Sequence, residues 1–444
     1  MLFSKQDLRK IIVPLLIEQA LAVTVGMLDT VMVASAGEAA VSGVSLVDSV
    51  NLLLIYVFSA LAGGGAIVIS QLLGKGVKQT AQEASKQLLL IVTAAAVFLT
   101  LVAVGFRKIL LNWIFGSIDA EVMANAQIYF LFTALSYPFL GIYNACAAIF
   151  RAAGNSKISM TTSLMMNGIN VAGNALLIFV FHMGAAGAAI ATLFSRIVGA
   201  GFMLLRIRSP KANLRITGLL KTRPQWNLIK RICWIGIPNG IENGMFQFGK
   251  VLTQSIVSGF GTVQIAANAA AGSLASLQYV PGQAISLAIV VVVGRCVGAG
   301  KKEQAKSYTK VLLGIDYGMI LLVSAFMCLF AKNLTGLYNL SGDGISLAVQ
   351  IVFWHSLCIS TIWPLAFTLP NAFRAASDVR YTMVLSVFSM WVFRVGLSVV
   401  FGKVLGMGVM GVWLAMFCDW LFRAIFFTVR FCGGKWLTKY KSLT

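Results

Sequence analysis

The chain has 444 residues, of which 59% are apolar and only 11% are charged. An average soluble domain has about 25% charged residues, so this composition excludes a soluble protein of this length. The formal net charge of +21 is typical of nucleic-acid-binding domains, but in so apolar a chain we expect it to reflect membrane topology, with no nucleic acid as partner.

Twelve apolar stretches follow one another along the chain, each long enough for the roughly 20 residues that a transmembrane helix requires. These runs are continuous and do not alternate with polar residues as the strands of a membrane barrel do. The sequence therefore predicts an all-α polytopic membrane protein with twelve transmembrane helices. The predicted spans are 10–34, 46–70, 87–106, 122–147, 158–181, 184–206, 232–258, 268–294, 311–331, 345–369, 381–401 and 407–429.

Lysine and arginine residues in the loops and toward the ends of the spans are divided unequally between the two sides of the membrane. The termini and the even-numbered loops, together with the parts of the spans that adjoin them, carry 28 of these residues, whereas the odd-numbered loops carry 4. Because cytoplasmic loops of membrane proteins carry the excess of basic residues, this split predicts that both termini lie in the cytoplasm. Three further bases, Arg196, Lys250 and Arg394, fall inside predicted spans and are not assigned to either side.

The second half of the chain repeats the first at a shift of 224 residues, which places Pro14 on Pro238 and Glu18 on Glu242. Six spans per repeat is an even number, so both halves enter the membrane in the same orientation. We therefore expect two six-helix repeats, or lobes, around a central cavity, an arrangement suited to alternating access. The expected divisions are an N-terminal lobe at 1–206, a basic cytoplasmic linker at 207–231 and a C-terminal lobe at 232–444.

Five short motifs stand in order along this duplicated chain. They are DTVM at 29–32, SQLLGKG at 70–76, FRAAG at 150–154, GAAIAT at 187–192 and GRCVGAG at 294–300. Together they resemble the motifs of the multidrug and toxic compound extrusion (MATE) family over essentially the whole chain. The resemblance implies a secondary active transporter that exports organic, often cationic, compounds in exchange for inward protons or sodium ions. It also implies a monomer in the cytoplasmic (inner) membrane of a bacterium, with no cofactor and no enzymatic activity.

Ionisable side chains inside spans cost about 2.5–3.5 kcal/mol on insertion scales, so each is a functional candidate. The resemblance places a cation-coupling site of the first lobe on Asp29, with Asn170, Asn174 and Thr192 as partners. Many family members have a second acid at the position of Asn174, and hard cations prefer charged oxygen ligands. We therefore expect protons rather than sodium ions as the coupling ion. The alternative is that Asp29 only forms a structural hydrogen bond.

Several other residues are candidates for bending or for substrate contact. Pro14 is positioned to kink the first span. Several family branches have an acid in the second lobe, eight residues after the proline of the seventh span. This chain has Phe246 at that position, which favours coupling in the first lobe. Asp419 and Arg423 stand four residues apart in the twelfth span and are expected to pair. The candidates for the cavity or the substrate site are Glu18, Glu242, Gln247, Arg196 and Arg394, each of which could instead make only structural contacts.

Two other classes of function stay open at this point. A lipid-linked oligosaccharide flippase of the same broader superfamily would suit the bases inside the spans, because its cargo carries phosphates, but twelve spans and Asp29 disfavour it. An intramembrane enzyme would need a nucleophile, a metal set or a pair of acids, and the sequence offers no such pattern. Two histidines and the lack of a C-x-x-C pair also predict no metal site.

Overall fold

The computed structural model describes residues 2–116, 118–210, 212–219, 222–338 and 340–440, and these ranges are almost entirely helical, without a β-strand. Positions 211, 220 and 221 of the predicted linker, and positions 441–444 of the predicted second lobe, lie outside the described residues. The all-α fold expected from the continuous apolar runs is therefore confirmed.

Sixteen α-helices lie within the described ranges, and π-helical turns extend or continue some of them. The α-helices are α1 (Lys5–Ala34), α2 (Glu38–Gly74), α3 (Lys78–Gly105), α4 (Arg107–Phe115), α5 (Ala120–Leu135), α6 (Tyr137–Ala152), α7 (Ser156–Asn174), α8 (Gly184–Arg208), α9 (Trp226–Val257), α10 (Thr262–Gln278), α11 (Val280–Gly298), α12 (Lys302–Gly336), α13 (Gly342–Thr361), α14 (Pro370–Ala375), α15 (Val379–Ser389) and α16 (Gly408–Cys432). The π-helical turns are Ala175–Val180, Pro364–Thr368, Met390–Gly396 and Ser398–Val404.

Ten helical segments of the described chain are long and apolar enough to cross a membrane. An eleventh is the pair α5 and α6, which bends by 45° because Pro138 in the first turn of α6 leaves no N–H for a continuous helix. The helix at the place of the seventh predicted span, α9, is 32 residues long but is not among these candidates. It carries Pro238, Glu242 and Lys250, which lower its mean hydropathy. The predicted order of spans is thus matched by helical segments throughout.

The duplication extends to the backbone conformation. A positive φ angle is rare for residues with a Cβ atom, yet it occurs at equivalent points of both halves, for example at Gly37 (104°) and Gly261 (92°). Four more pairs of this kind are Gly76 and Gly300, Gly154 and Ser377, His182 and Gly406, and Gly184 and Gly408. These residues stand in the turns between helices, so the two halves share their turns as well as their helices.

Contacts within the chain divide it into two compact units. The first unit is Lys5–Gly240, and the second unit begins at Ile241 and includes the residues before Lys5. The division falls inside α9. The lobe boundaries expected from the sequence stay a prediction.

Three arginines form ion pairs with acids of predicted spans, and of these Arg423 is buried, whereas Arg151 and Arg374 are half-buried. The pairs are Arg151 with Glu18, Arg374 with Glu242 and Arg423 with Asp419. The last of them confirms the pairing expected from the four-residue spacing. The remaining bases outside the spans still fall mostly in the termini and the even-numbered loops.

Backbone contact between α2 and α9 leads to a stability prediction. A Cβ atom at Gly64 would lie 2.7 Å from the carbonyl oxygen of Ile232 and 2.8 Å from the nitrogen of Gly236. Since these are backbone atoms, Gly64→Ala is expected to destabilise the protein by about 1–3 kcal/mol and to lower its unfolding temperature in detergent. Gly63→Ala is the control, because its Cβ would lie 3.6 Å from the nearest atom, in Asn239; an equal loss in both variants would contradict the prediction.

Candidate functional site

The four residues expected to couple the ion lie together in the first unit. Asp29 is on α1, Asn170 and Asn174 are one turn apart on α7, and Thr192 is on α8; α7 packs against both other helices. The Asn174 amide nitrogen donates a hydrogen bond to Asp29 Oδ1 at 2.9 Å. The Asn170 amide lies 3.1 Å from the Thr192 hydroxyl. Residues that are 145 positions apart in sequence therefore meet at one carboxylate.

The side chain of Asn170 links Asp29 to Thr192. The Asn170 side chain forms a hydrogen bond with each neighbour when its amide nitrogen donates to Asp29 Oδ1 at 2.8 Å and its carbonyl oxygen accepts from Thr192 Oγ1 at 3.1 Å. Asn174 is 1% exposed, and its buried carbonyl oxygen has no partner within the described chain. The site thus offers a carboxylate next to an unused amide oxygen, which suits a proton or a small hard cation.

A second carboxylate, Asp48 on α2, belongs to the same polar region and interacts electrostatically with Asp29. The hydroxyl of Tyr129 donates to Asp48 Oδ1 at 3.1 Å, and the Asn51 amide donates to it at 3.3 Å. Tyr137 in turn donates to Asn51 Oδ1 at 2.7 Å. Sequence reasoning missed this network. The network could have been suspected from the spacing of Asp48 and Asn51, which stand three residues apart and therefore share one helix face.

Arg196 on α8 supplies the positive charge of this region. It interacts electrostatically with both Asp29 and Asp48, and its guanidinium donates to the Ser136 hydroxyl at 2.6 Å. Ser136 stands at the bend between α5 and α6. Two carboxylates and one guanidinium leave this site with a net negative charge, which attracts protons and cations.

Glu18 and Glu242, equivalent by the repeat, both form ion pairs. In the first unit Arg151 contacts Glu18 at 3.2 Å, and Ser159 donates to the other carboxylate oxygen at 2.7 Å. In the second unit Arg374 contacts Glu242 at 2.6 Å. There Glu242 Oε2 and Arg374 Nε are buried without a described partner. The first pair is therefore fully occupied, while the second retains an unused acceptor and an unused donor.

The other candidate residues are placed as follows. Pro14 stands inside α1, which continues through it without interruption. Gln247 is half-buried on α9. Arg394 lies in the π-helical turn Met390–Gly396 of the second unit and donates to the sulfur of Met416 at 3.0 Å. Gln247 and Arg394 thus belong to the second unit, and Pro14 belongs to the first.

Known proteins similar to this chain match it over nearly its full length. The probable multidrug resistance protein NorM of Thermotoga maritima is 27% identical over 450 residues, covering 97% of this chain and 93% of that protein. The uncharacterized transporter YisQ of Bacillus subtilis is 25% identical over 439 residues, covering 96% of this chain and 94% of that protein. A solved structure, an outward-facing multidrug resistance MATE family transporter of the MOP superfamily, aligns with a TM-score of 0.90 at 20% identity, over 97% of this chain and 96% of that one.

A family model settles the classification. The MatE model matches residues 14–176 and again residues 238–400. Both segments begin and end at a shift of 224 residues, so the predicted duplication is confirmed. The TM-score at low identity shows the fold alone, but the model covers well over half of the chain. The chain therefore belongs to the MatE family, the multidrug and toxic compound extrusion proteins that its sequence motifs resemble.

Proposed function

We propose that this protein exports organic, often cationic, compounds from a bacterial cell in exchange for inward protons. It is a multi-pass protein of the cytoplasmic membrane with both termini in the cytoplasm, it acts as a monomer, and it catalyses no chemical reaction. Transport proceeds by alternating access of the two lobes. The observation that carries the proposal is the carboxylate of Asp29 held by the Asn170 and Asn174 amides, because it can take up a proton inside the helical bundle.

Protonation of Asp29 changes the contact between α1 and α7. Hydrogen bonds to an ionised carboxylate are roughly twice as strong as those between neutral groups. When Asp29 takes up a proton from the outside, its bond with the Asn174 amide weakens and α1 is freed to bend near Pro14. The bend reduces the space for substrate in the first lobe and expels it. Release of the proton to the cytoplasm restores the straight helix.

Protons are preferred over sodium ions as the coupling ion. Many family members carry an acid at the position of Asn174, which is an amide here. Among the described residues, Asp29 is therefore the only carboxylate that hydrogen-bonds to Asn170 or Asn174. Hard cations such as sodium bind best where several charged oxygens meet. A proton needs a single carboxylate.

The proposal is tested with the purified protein in proteoliposomes loaded with an organic cation dye. An imposed proton gradient is expected to drive dye movement, whereas a sodium gradient of the same size at constant pH is not. Movement driven by sodium alone would reject proton coupling. If no compound moves under either gradient, while a deletion strain shows altered envelope glycans, the protein is instead a lipid-linked oligosaccharide flippase.

A further inference from the structure

One buried acid of the second unit has no basic partner. Four acids are buried in the described part of this unit. Three of them form ion pairs with arginines, namely Glu242 with Arg374, Asp378 with Arg430 and Asp419 with Arg423. The fourth, Asp316 on α12, is 0% exposed and forms no ion pair with any described residue. An ionisable group in this position is costly for a membrane-spanning helix and is a functional candidate.

The carboxyl group of Asp316 has a single hydrogen-bond partner. The hydroxyl of Thr368 donates to Asp316 Oδ2 at 2.6 Å, whereas Asp316 Oδ1 is buried without a partner in the described chain. Burial of an isolated ionised carboxylate costs far more than burial of a neutral polar group. A bound proton removes that charge, and the neutral group can still hydrogen-bond to Thr368.

The elements around Asp316 offer no direct compensation for its charge. The helix α12 packs mainly against α10, α11, α13 and the π-helical turn Pro364–Thr368, and of these α10 and the turn carry no ionisable side chain. Tyr317 interacts electrostatically with Asp316, but its hydroxyl donates to the Thr361 carbonyl at 3.0 Å. The other ionisable side chains of these helices are Arg295 and Cys296 on α11, Asp343, His355 and Cys358 on α13, and Lys302, Glu303, Lys306, Tyr308, Lys310, Cys328 and Lys332 on α12.

The turn that carries Thr368 has an unusual backbone register. The Leu369 amide donates to the Pro364 carbonyl, five residues back, at 2.9 Å. The side-chain amide of Asn371 donates to the Thr368 carbonyl at 3.2 Å and to the preceding carbonyl at 2.9 Å. Single π-helical turns inside helices frequently mark functional sites. The hydrogen-bond partner of Asp316 therefore stands on a segment suited to movement.

Asn371 connects this turn to a cavity of the second unit. Its side-chain oxygen accepts a hydrogen bond from Arg374 at 2.8 Å, and Arg374 pairs with Glu242. Arg374, Glu242 and Phe367, the residue before Thr368, belong to the wall of a cavity of about 140 Å³. A cavity of this volume with polar groups in its wall has room for several water molecules. Hydrogen bonds thus run from the carboxyl, through the turn, to a place where water can take up or deliver a proton.

The environment of Asp316 suits a proton better than a metal ion. A hard cation takes several oxygen ligands, whereas one hydroxyl meets this carboxyl. The Phe246 ring lines the cavity and has three bases around it. The Nζ atom of Lys250 is 5.3 Å from the ring centroid, and the guanidinium carbons of Arg394 and Arg423 are 5.2 Å and 5.6 Å from it. This basic cluster repels metal ions from the cavity, while neutral water can still carry a proton.

We propose that Asp316 is a second coupling residue, which takes up and releases one proton in each transport cycle. The carboxyl holds its proton while Thr368 is bound to it, and movement of the π-helical turn exposes it to the water of the cavity, where the proton leaves. The inference rests on the transport function proposed above and sets its stoichiometry. With Asp29 in the first unit, two protons enter for each compound exported. Export of a monovalent cation then carries one net positive charge inward, so the membrane potential drives it.

The test uses proteoliposomes that contain the purified full chain, with a singly charged organic cation dye and the same pH on both sides. Valinomycin and a potassium gradient make the interior negative by about 100 mV, so passive leak draws the dye inward. Exchange for two protons drives the dye outward instead, to a ratio of about 50-fold. Exchange for one proton moves no net charge and cannot do so.

Asp316→Asn is expected to remove this outward movement. Asparagine keeps the size of the side chain and can accept the Thr368 hydrogen bond, but it takes up no proton. With the voltage held at zero, the dye ratio per pH unit should fall from about 100-fold to about tenfold, because one proton remains. Asp343→Asn, the same change at an exposed position, should behave like the wild type. Unchanged movement against the voltage in Asp316→Asn, or an equal loss of both driving forces, would overturn the proposal.

Infrared spectroscopy of the purified protein in detergent detects the proton without transport. The difference spectrum between the wild type and Asp316→Asn at neutral pH is expected to contain the C=O stretching band of a neutral carboxyl group. Thr368→Val removes the hydroxyl bound to this group and should shift the band to higher frequency. Carboxylate bands in its place would show an ionised Asp316 inside the bundle and contradict the assignment.

The inference and the transport function fail in different ways. A wild-type protein that exports dye under a pH gradient but never against the voltage has no second coupling proton, and its transport function stands. A wild-type protein that moves no compound under any gradient loses the transport function, and the second coupling proton is rejected with it.

Discussion

Asp29→Asn is expected to abolish proton-driven export. One proton moving inward across about 100 mV and about one pH unit releases roughly 3.7 kcal/mol, which supports a gradient of about 500-fold for a neutral compound. The amide of the variant has the shape of the carboxylate but takes up no proton in the working range. The substrate ratio across the proteoliposome membrane is therefore expected to fall from its driven value toward 1.

The control for Asp29→Asn is Asp343→Asn, the same chemical change at an exposed position in the first turn of α13. Export by this variant should equal that of the wild type, and both variants should purify with similar yield and unfolding temperature. Undiminished proton-driven export by Asp29→Asn would remove the coupling role from this residue. A companion variant, Asn174→Asp, adds a second carboxylate and is expected to introduce dependence on sodium.

The sequence predicts the helices of this protein better than it predicts their polar contacts. Spans follow from the length and continuity of apolar runs, and the bend between α5 and α6 follows from Pro138. The Asp29 cluster could be expected because its residues match motifs of a known family. The contacts of Asp48 could not, since Tyr129 and Tyr137 stand on either side of that bend and their hydroxyls are directed by the packing of α2, α5 and α6.

The contacts of Phe246 could not be predicted from the sequence either. The sequence shows only that Phe246 stands where other family branches have an acid, and that Lys250 and Arg394 are bases in different spans. Their meeting at one ring depends on how the π-helical turn Met390–Gly396 orients Arg394. A change of hydrogen-bond register in a helix is not encoded in hydropathy, so the cluster becomes visible only in three dimensions.

Asp419→Asn is expected to be the most destabilising single change in the second unit. Asp419 is fully buried and Arg423 is 2% exposed, and Ser389 donates a further hydrogen bond to the carboxylate at 2.5 Å. Without the carboxylate the guanidinium keeps its charge in the bundle with no counter-ion. Removing one partner of a buried ion pair costs about 3–5 kcal/mol. The measurement is the unfolding temperature of the purified protein in detergent, with Asp343→Asn as the control.

A double variant separates the ion pair from general packing. Asp419→Leu combined with Arg423→Met removes both charges, and apolar replacement of a whole buried pair is often neutral or stabilising. The double variant should therefore unfold at a higher temperature than Asp419→Asn. If it is the less stable of the two, the hydrogen bonds from Ser389 and to the Ser386 carbonyl, rather than charge compensation, hold this region together. Charge compensation is the expected result. Within the part of the chain that the structure describes, Lys250 and Arg394 already lie beside the Phe246 ring without an ion pair, and Asp419→Asn leaves Arg423 there as a third such base.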